Sequence, residues 1–309
     1  MPAAVALEPA GPPLGARLRL WAGRDSTLGY LLVAPAVLLL VVLVGYPFML
    51  SLWLSLTNKM VAQPAQFIGF KNFAIQMQSQ IFWQTLYNTI LYTAVTTVFK
   101  LVLGFAAALL LDQWFIGRKF VRAAILLPWI IPTVLSTMAW LWIFDPNLSS
   151  ANWILRALGL VKKGLPWLTD PHWAMASVMI VNIWRGIPFF AVTILAGLQT
   201  VPEELYEAAK IDGAGTLQRL LNVTVPMVMP IVIVVLIMSI IGTFSDIQVV
   251  YALTGGGPAN STHVLATLSY QTGLRSGYLG QGAAISLFMF PVLLTMVVLQ
   301  LWHARRRMS

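Results

Sequence analysis

Long stretches without an ionisable side chain constrain this chain more than any other feature. Uncharged windows run over 26–58, 72–99, 123–144, 186–202, 220–245 and 276–302. A helix needs roughly 20 apolar residues to cross the hydrocarbon core of a bilayer, and only helices and closed barrels satisfy their backbone there. Charged residues make up 9% of the chain, far below the roughly 25% of soluble domains. The windows therefore predict an all-α polytopic membrane protein with six helices, near 29–55, 84–111, 122–144, 173–198, 226–250 and 281–303. The fourth is the least clean, because Arg185 interrupts an apolar run from Trp173 to Val201.

Basic residues orient the spans, since translocating Lys and Arg beside a helix end is disfavoured. Arg17, Arg19, Arg24, Arg118, Lys119, Arg122, Lys210, Arg219, Arg305, Arg306 and Arg307 fall on one face, eleven in all. Lys59, Lys71, Arg156, Lys162, Lys163 and Arg275 fall on the other, and Lys100 and Arg185 lie inside spans. Both termini are therefore expected in the cytoplasm. The net charge of +9 follows from this bias, with some attraction to anionic lipid, and calls for no nucleic-acid partner. Residues 1–27 read as a disordered cytoplasmic tail, 28–303 as the six-helix domain and 304–309 as a basic tail. Residues 1–24 lack the apolar core and cleavage site of a signal peptide, so the run from Leu28 is expected to remain as a span.

The chain has no cysteine, which excludes thiolate metal sites, disulfides and thiol nucleophiles. His172, His263 and His303 lie far apart, so neither a metal site nor a catalytic or cofactor-binding constellation is expected. Pro35, Pro47, Pro128, Pro132, Pro188 and Pro291 fall inside the spans; they kink helices and allow curved walls around a cavity, or are simply common in membrane helices. No internal repeat is evident, which weighs against a secondary transporter made of two repeated halves.

Between the fourth and fifth runs sits a polar cassette. Glu203, Glu204 and Glu207 follow Val201-Pro202, where proline suits a helix start and acids suit its positive end. Gly213 and Gly215 stop that helix, the Ala208-Ala209 pair offers a shallow surface, and Leu217, Leu220 and Leu221 begin a second helix reaching Pro226. A helix-turn-helix at the cytoplasmic face is the expectation. An amphipathic connector on the headgroups accounts for the leucines but not for acids on the basic side of the membrane.

Glu207-Ala208-Ala209, Gly213 and Val223-Thr224-Val225-Pro226 match the EAA signature of the membrane subunits of binding-protein-dependent ABC importers, with Val223 and Val225 where Ile and Leu are commoner. LLPWIIPTVLSTMAWLWIFDP at 126–146, WLTDP at 167–171, NIWRGIPFF at 182–190, LQTVPEELYEAA at 198–209 and YALTGGGP at 251–258 extend the likeness. The chain resembles carbohydrate permease subunits of the maltose and glycerol-phosphate type, and Thr254-Gly255-Gly256-Gly257-Pro258 points to the first of their two permeases. The resemblance implies a MetI-like importer permease fold in a bacterial inner membrane. It also implies a heterodimer with a second, similar permease, two copies of a cytoplasmic ATPase and an extracytoplasmic solute-binding protein. No GxxxxGK[ST] phosphate loop is present, so hydrolysis falls to the partner.

Carried over by that resemblance, Glu207, Ala208, Ala209, Asp212 and Gly213, within a coupling loop at 199–225, meet the ATPase. Asn182, Arg185, Gly186, Phe189, Ser239, Gly242, Thr243 and Asp246 fall where maltose-type permeases face their sugar. Gly242 replaces a bulky aromatic of the maltose pattern. Arg185 and Asp246 either touch solute or pair with each other; Asn182, Arg185, Gly186 and Phe189 share one helix face, which favours solute. Lys100 reads as a snorkelling or paired stem, and Trp140, Trp142 and Trp184 as stacking platforms or packing. A stand-alone channel or secondary transporter would need coupling carboxylates within spans, where only Asp246 qualifies; this alternative and that of a membrane scaffold both leave the EAA cassette unexplained.

Overall fold

A computed structural model describes residues 25–308. The expected tail at 1–27 lies largely outside the described residues. Five helices are long and apolar enough to cross a membrane: Gly29–Ser55, Gln80–Asp112, Pro171–Leu198, Thr216–Phe244 and Leu279–Arg305. A bent pair, Arg118–Ile130 and Thr133–Ile143, brings the number to six where the two halves count as one span. Short helices at Lys71–Met77, Ser150–Ala157, Glu203–Ile211, Gln248–Leu253 and Leu265–Tyr270 lie between them.

The first span stands as a unit of its own through Trp53. It relaxes into a π turn at Val41–Gly45, just ahead of Pro47, and Thr216–Phe244 does the same at Leu220–Thr224, ahead of Pro226. Proline has no N–H to donate and crowds the preceding turn; a widened turn there spares the rest of the helix.

One boundary sharpens the sequence reading and one corrects it. The span expected near 122–144, kinked by its prolines, is bent by 95°, because Ile131, extended at ψ 131°, precedes Pro132; the residue before a proline is driven out of the helical region. The helix expected over 226–250 begins at Thr216 and ends at Phe244. Asp246 supplies the break, its Oδ1 accepting the N–H groups of Gln248 at 2.9 Å and Val249 at 3.4 Å and starting the next helix there. A short acidic side chain competes in this way with the continuing helix ladder.

The second and fourth spans pack along one another. A Cβ on Gly104 would collide with Phe190, so glycine sets their close approach. Ala108, Leu111, Phe190, Ile194, Leu198, Val228 and Val232 form one core between the second, fourth and fifth spans. Nearer the other end, Tyr92, Phe144, Trp167, Val178, Val249 and Val264 form a second. Between helices Gln248–Leu253 and Leu265–Tyr270 the backbone is irregular, and it is stitched to the second span. Asn88 donates to the carbonyls of Ser261 at 2.7 Å and His263 at 3.1 Å, and the Leu265 N–H donates to the Thr89 hydroxyl at 2.9 Å. Irregular backbone buried in protein needs such partners for its polar groups.

Within that loop Gly256 has φ +95° and faces the His263 ring, with which an added Cβ would overlap. Gly256→Ala is therefore expected to destabilise the protein by about 3 kcal/mol through overpacking and left-handed strain, read as a lower thermal midpoint of the purified subunit. Burial pushes the His263 imidazole below its ordinary range. Its neutral form thus belongs to the folded state, and the unfolded ring takes up a proton first as pH falls below about 6.5. Stability present above that pH is expected to be lost as pH falls toward the lower folded value. Melting curves at pH 7.5 and 5.5 check this, with His263→Gln flattening the difference.

Candidate functional site

The fourth span, from Pro171 to Leu198, starts cleanly because Asp170 caps it, accepting the N–H groups of His172 at 2.9 Å and Trp173 at 3.2 Å. Near the midpoint of this helix its inward face carries Asn182, Arg185, Gly186 and Phe189. Opposite, the end of Thr216–Phe244 presents Ser239, Gly242 and Thr243, and the break after it presents Asp246. All eight line one cavity of about 460 Å³. Lys100 and Trp129 join them there, as does Gln248.

Lys100 corrects the reading of a snorkelling or ion-paired stem. It is 4% exposed, and its Nζ donates to the Thr243 hydroxyl at 2.9 Å. Gly186 makes room for it, since a Cβ there would overlap the lysine stem. Spacing alone could not have shown this: the lysine sits at the edge of an uncharged window and meets the fourth and fifth spans only through packing.

Arg185 and Asp246 do not form an ion pair. Among the described residues the charged contact within 4.0 Å is His172 with Asp170. The second carboxylate oxygen of Asp246 accepts the Tyr92 hydroxyl at 2.8 Å and the Asn182 amide at 3.1 Å. Both oxygens are thus engaged, and Nε of Arg185 and Oδ1 of Asn182 are buried without a partner among the described residues. Trp140 packs edge-on to Trp184 at 5.5 Å and tilted against Phe144 at 5.1 Å, and Trp142 is 77% exposed. The aromatics on the cavity wall are instead Trp129, Phe189 and Phe190, with the Trp129 and Phe189 centroids 6.3 Å apart.

The cassette forms a second feature. Helix Glu203–Ile211 carries Glu203 and Glu204 in its first turn and ends at Asp212. Gly213 has φ +78°, its N–H donates to the Lys210 carbonyl, and the Ala214 N–H donates back to the Ala209 carbonyl at 2.9 Å. That pair is a Schellman close, which glycine favours. Glu207, Ala208, Asp212 and Gly213 are exposed and Ala209 is half-buried. The second cassette helix is not a separate piece reaching Pro226, as expected, but the opening turns of the fifth span. Gln218 Oε1 accepts the Gly215 N–H at 2.8 Å, and Tyr206 and Thr224 share a hydroxyl hydrogen bond of 3.1 Å that ties the cassette helix to the span.

Residues 100–309 match the family of the binding-protein-dependent transport system inner membrane component. The chain is 33% identical to the trehalose/maltose transport system permease protein MalF of Thermococcus litoralis, over 92% of this chain and 96% of the relative. It is 37% identical to the sulfoquinovosyl glycerol transport system permease protein SmoG of Agrobacterium fabrum, over 86% of each. A crystal structure of a bacterial ABC transporter involved in import of the acidic polysaccharide alginate superposes with a TM-score of 0.78 at 25% identity, covering 94% of this chain and 99% of that one.

Proposed function

The chain belongs to the family of binding-protein-dependent transport system inner membrane components, and from that premise we propose that the cavity bounded by Asn182, Arg185 and Asp246 is the passage a sugar-like solute crosses. The protein is a multi-pass inner membrane subunit, the permease of a binding-protein-dependent ABC importer, and ATP hydrolysis resides in a partner. The solute is a sugar or a related polyol or glycerol-phosphate compound, in keeping with relatives whose names specify trehalose, maltose and sulfoquinovosyl glycerol.

The observation that carries this reading is the convergence of eight residues from two spans and the break after Phe244 on one mid-helix cavity. Polar and ionisable groups are costly at that depth and are retained there for function. A heterodimer with a second permease encloses the passage; two ATPase copies grip the paired cassettes, and an external binding protein delivers solute. The Lys and Arg bias supports cytoplasmic termini and a cytoplasmic cassette. Closure of the ATPases moves helix Glu203–Ile211, and the fifth span follows it, which alternates access to the cavity.

The test is uptake by proteoliposomes containing the complete importer. Solute-stimulated ATP hydrolysis and accumulation that need this subunit are expected; hydrolysis indifferent to its presence would overturn the reading. Gly213→Val is expected to weaken ATPase docking roughly tenfold, because a β-branched residue at φ +78° costs about 1–2 kcal/mol. Co-purification of the complex at wild-type yield would count against it.

A further inference from the structure

The charges around the cavity do not balance. Two cations, Lys100 and Arg185, and one anion, Asp246, line it. Asp246 accepts four hydrogen bonds, from the Tyr92 hydroxyl, the Asn182 amide and two backbone N–H groups, and no cation among the described residues lies within 4.0 Å of it. Its lone pairs are used. Lys100, buried to 4% exposure, has a neutral hydroxyl, that of Thr243, as its hydrogen-bond partner. Nε of Arg185 is buried without a partner among the described residues.

The single carboxylate of Asp246 acts on Lys100 through space, but it faces two cations, and an ammonium in low dielectric is unfavourable where its charge is only partly compensated. Yet the position is built: Gly186 lacks the Cβ that would overlap the lysine stem, so the fourth span is shaped around this cation. Resting on the importer reading, we infer that the cavity takes a glycoside carrying one negatively charged group, a carboxylate, sulfonate or phosphate. The guanidinium fork of Arg185 and the ammonium of Lys100 receive the anionic oxygens, where charge-assisted hydrogen bonds are short and strong. The open acceptor of Asn182, Oδ1, takes a sugar hydroxyl, and Trp129 and Phe189 flank the ring.

The test uses the complete importer in proteoliposomes and three probes on one scaffold: glucosyl glycerol, its C6 carboxylate and its C6 sulfonate. Both charged probes are expected to enter at least about tenfold faster than the neutral one, the ratio that one recovered charge contact of about 1.4 kcal/mol supplies. Lys100→Met and Arg185→Gln are each expected to collapse that ratio toward unity, and Lys100→Arg to keep most of it. A change in the ratio is not something a loss of folding produces, since all probes would then fall together. Equal entry of the neutral probe overturns the inference and leaves the importer reading standing; it would mean that a carboxylate of the neighbouring subunit balances the cations. A ratio unchanged in both Lys100→Met and Arg185→Gln overturns it as well. Entry of none of the probes also overturns it, and the importer reading then answers to its own ATPase test.

Discussion

Glu207→Lys is expected to insert as the wild type does and to abolish solute-stimulated ATP hydrolysis together with uptake. Glu207 is exposed on helix Glu203–Ile211 and takes part in no ion pair among the described residues, so its charge is not consumed within the chain. A basic cleft on the ATPase is the complementary surface for a helix that opens on Glu203 and Glu204. Reversing one charge of a close interfacial pair costs about 2–5 kcal/mol, which is roughly a 30- to 4,000-fold loss of productive docking. Glu207→Gln should fall between the two. The check is ATPase stimulation and co-purification measured on the same preparations; normal stimulation with Lys at 207 would remove the cassette from the coupling path.

Asp246→Ala should be the most damaging substitution in the cavity wall. Its carboxylate holds the hydroxyl of Tyr92, which is fully buried, orients Asn182 and starts helix Gln248–Leu253. Stripping it leaves several buried donors unsatisfied, at about 1–3 kcal/mol each, for a loss of roughly 4 kcal/mol in total. Complex yield and thermal midpoint should both fall. Adding Arg185→Gln should not restore them, because Arg185 is not the partner of Asp246 in the structure. Rescue by the double variant would instead reveal a coupling between the two charges, and a different hydrogen-bond scheme around the carboxylate would then be needed.

Five of the six expected spans were legible as long apolar helices because length and absence of charge suffice to mark them, and Arg185 did not hide the fourth. The first cassette helix was legible because helix starts and stops are local: acids after Pro202 and glycine at 213 are short-range signals. What escaped was decided by tertiary partners. Pro128 and Pro132 both announce a kink, but neither tells that the turn, made at Ile131-Pro132, reaches 95°. The end of the fifth helix at Phe244 rests on a side chain that bonds forward to Gln248, and the apolar residues on either side resemble a continuing helix. The stitching of Ser261, His263 and Leu265 to Asn88 and Thr89 spans more than half the chain, and no periodicity reports it. The cavity residues were found through helical register, i, i+3, i+4 and i+7, joined to a family pattern. Lys100 was missed as a member because its register on the second span acquires meaning only once Gly186 faces it.

The helical run from Thr216 to Phe244 turns the cassette into the short end of a lever. At 1.5 Å of rise per residue the arm from the Tyr206–Thr224 tie to Phe244 is about 30 Å long, so a rocking of about 5° at that tie sweeps the far end through about 2.6 Å. Asp246 stands two residues past that end, and its grip on Tyr92 spans 2.8 Å. A displacement smaller than one helical turn, imposed at the cassette, is therefore comparable to the hydrogen-bond length that holds the Asp246 carboxylate to Tyr92.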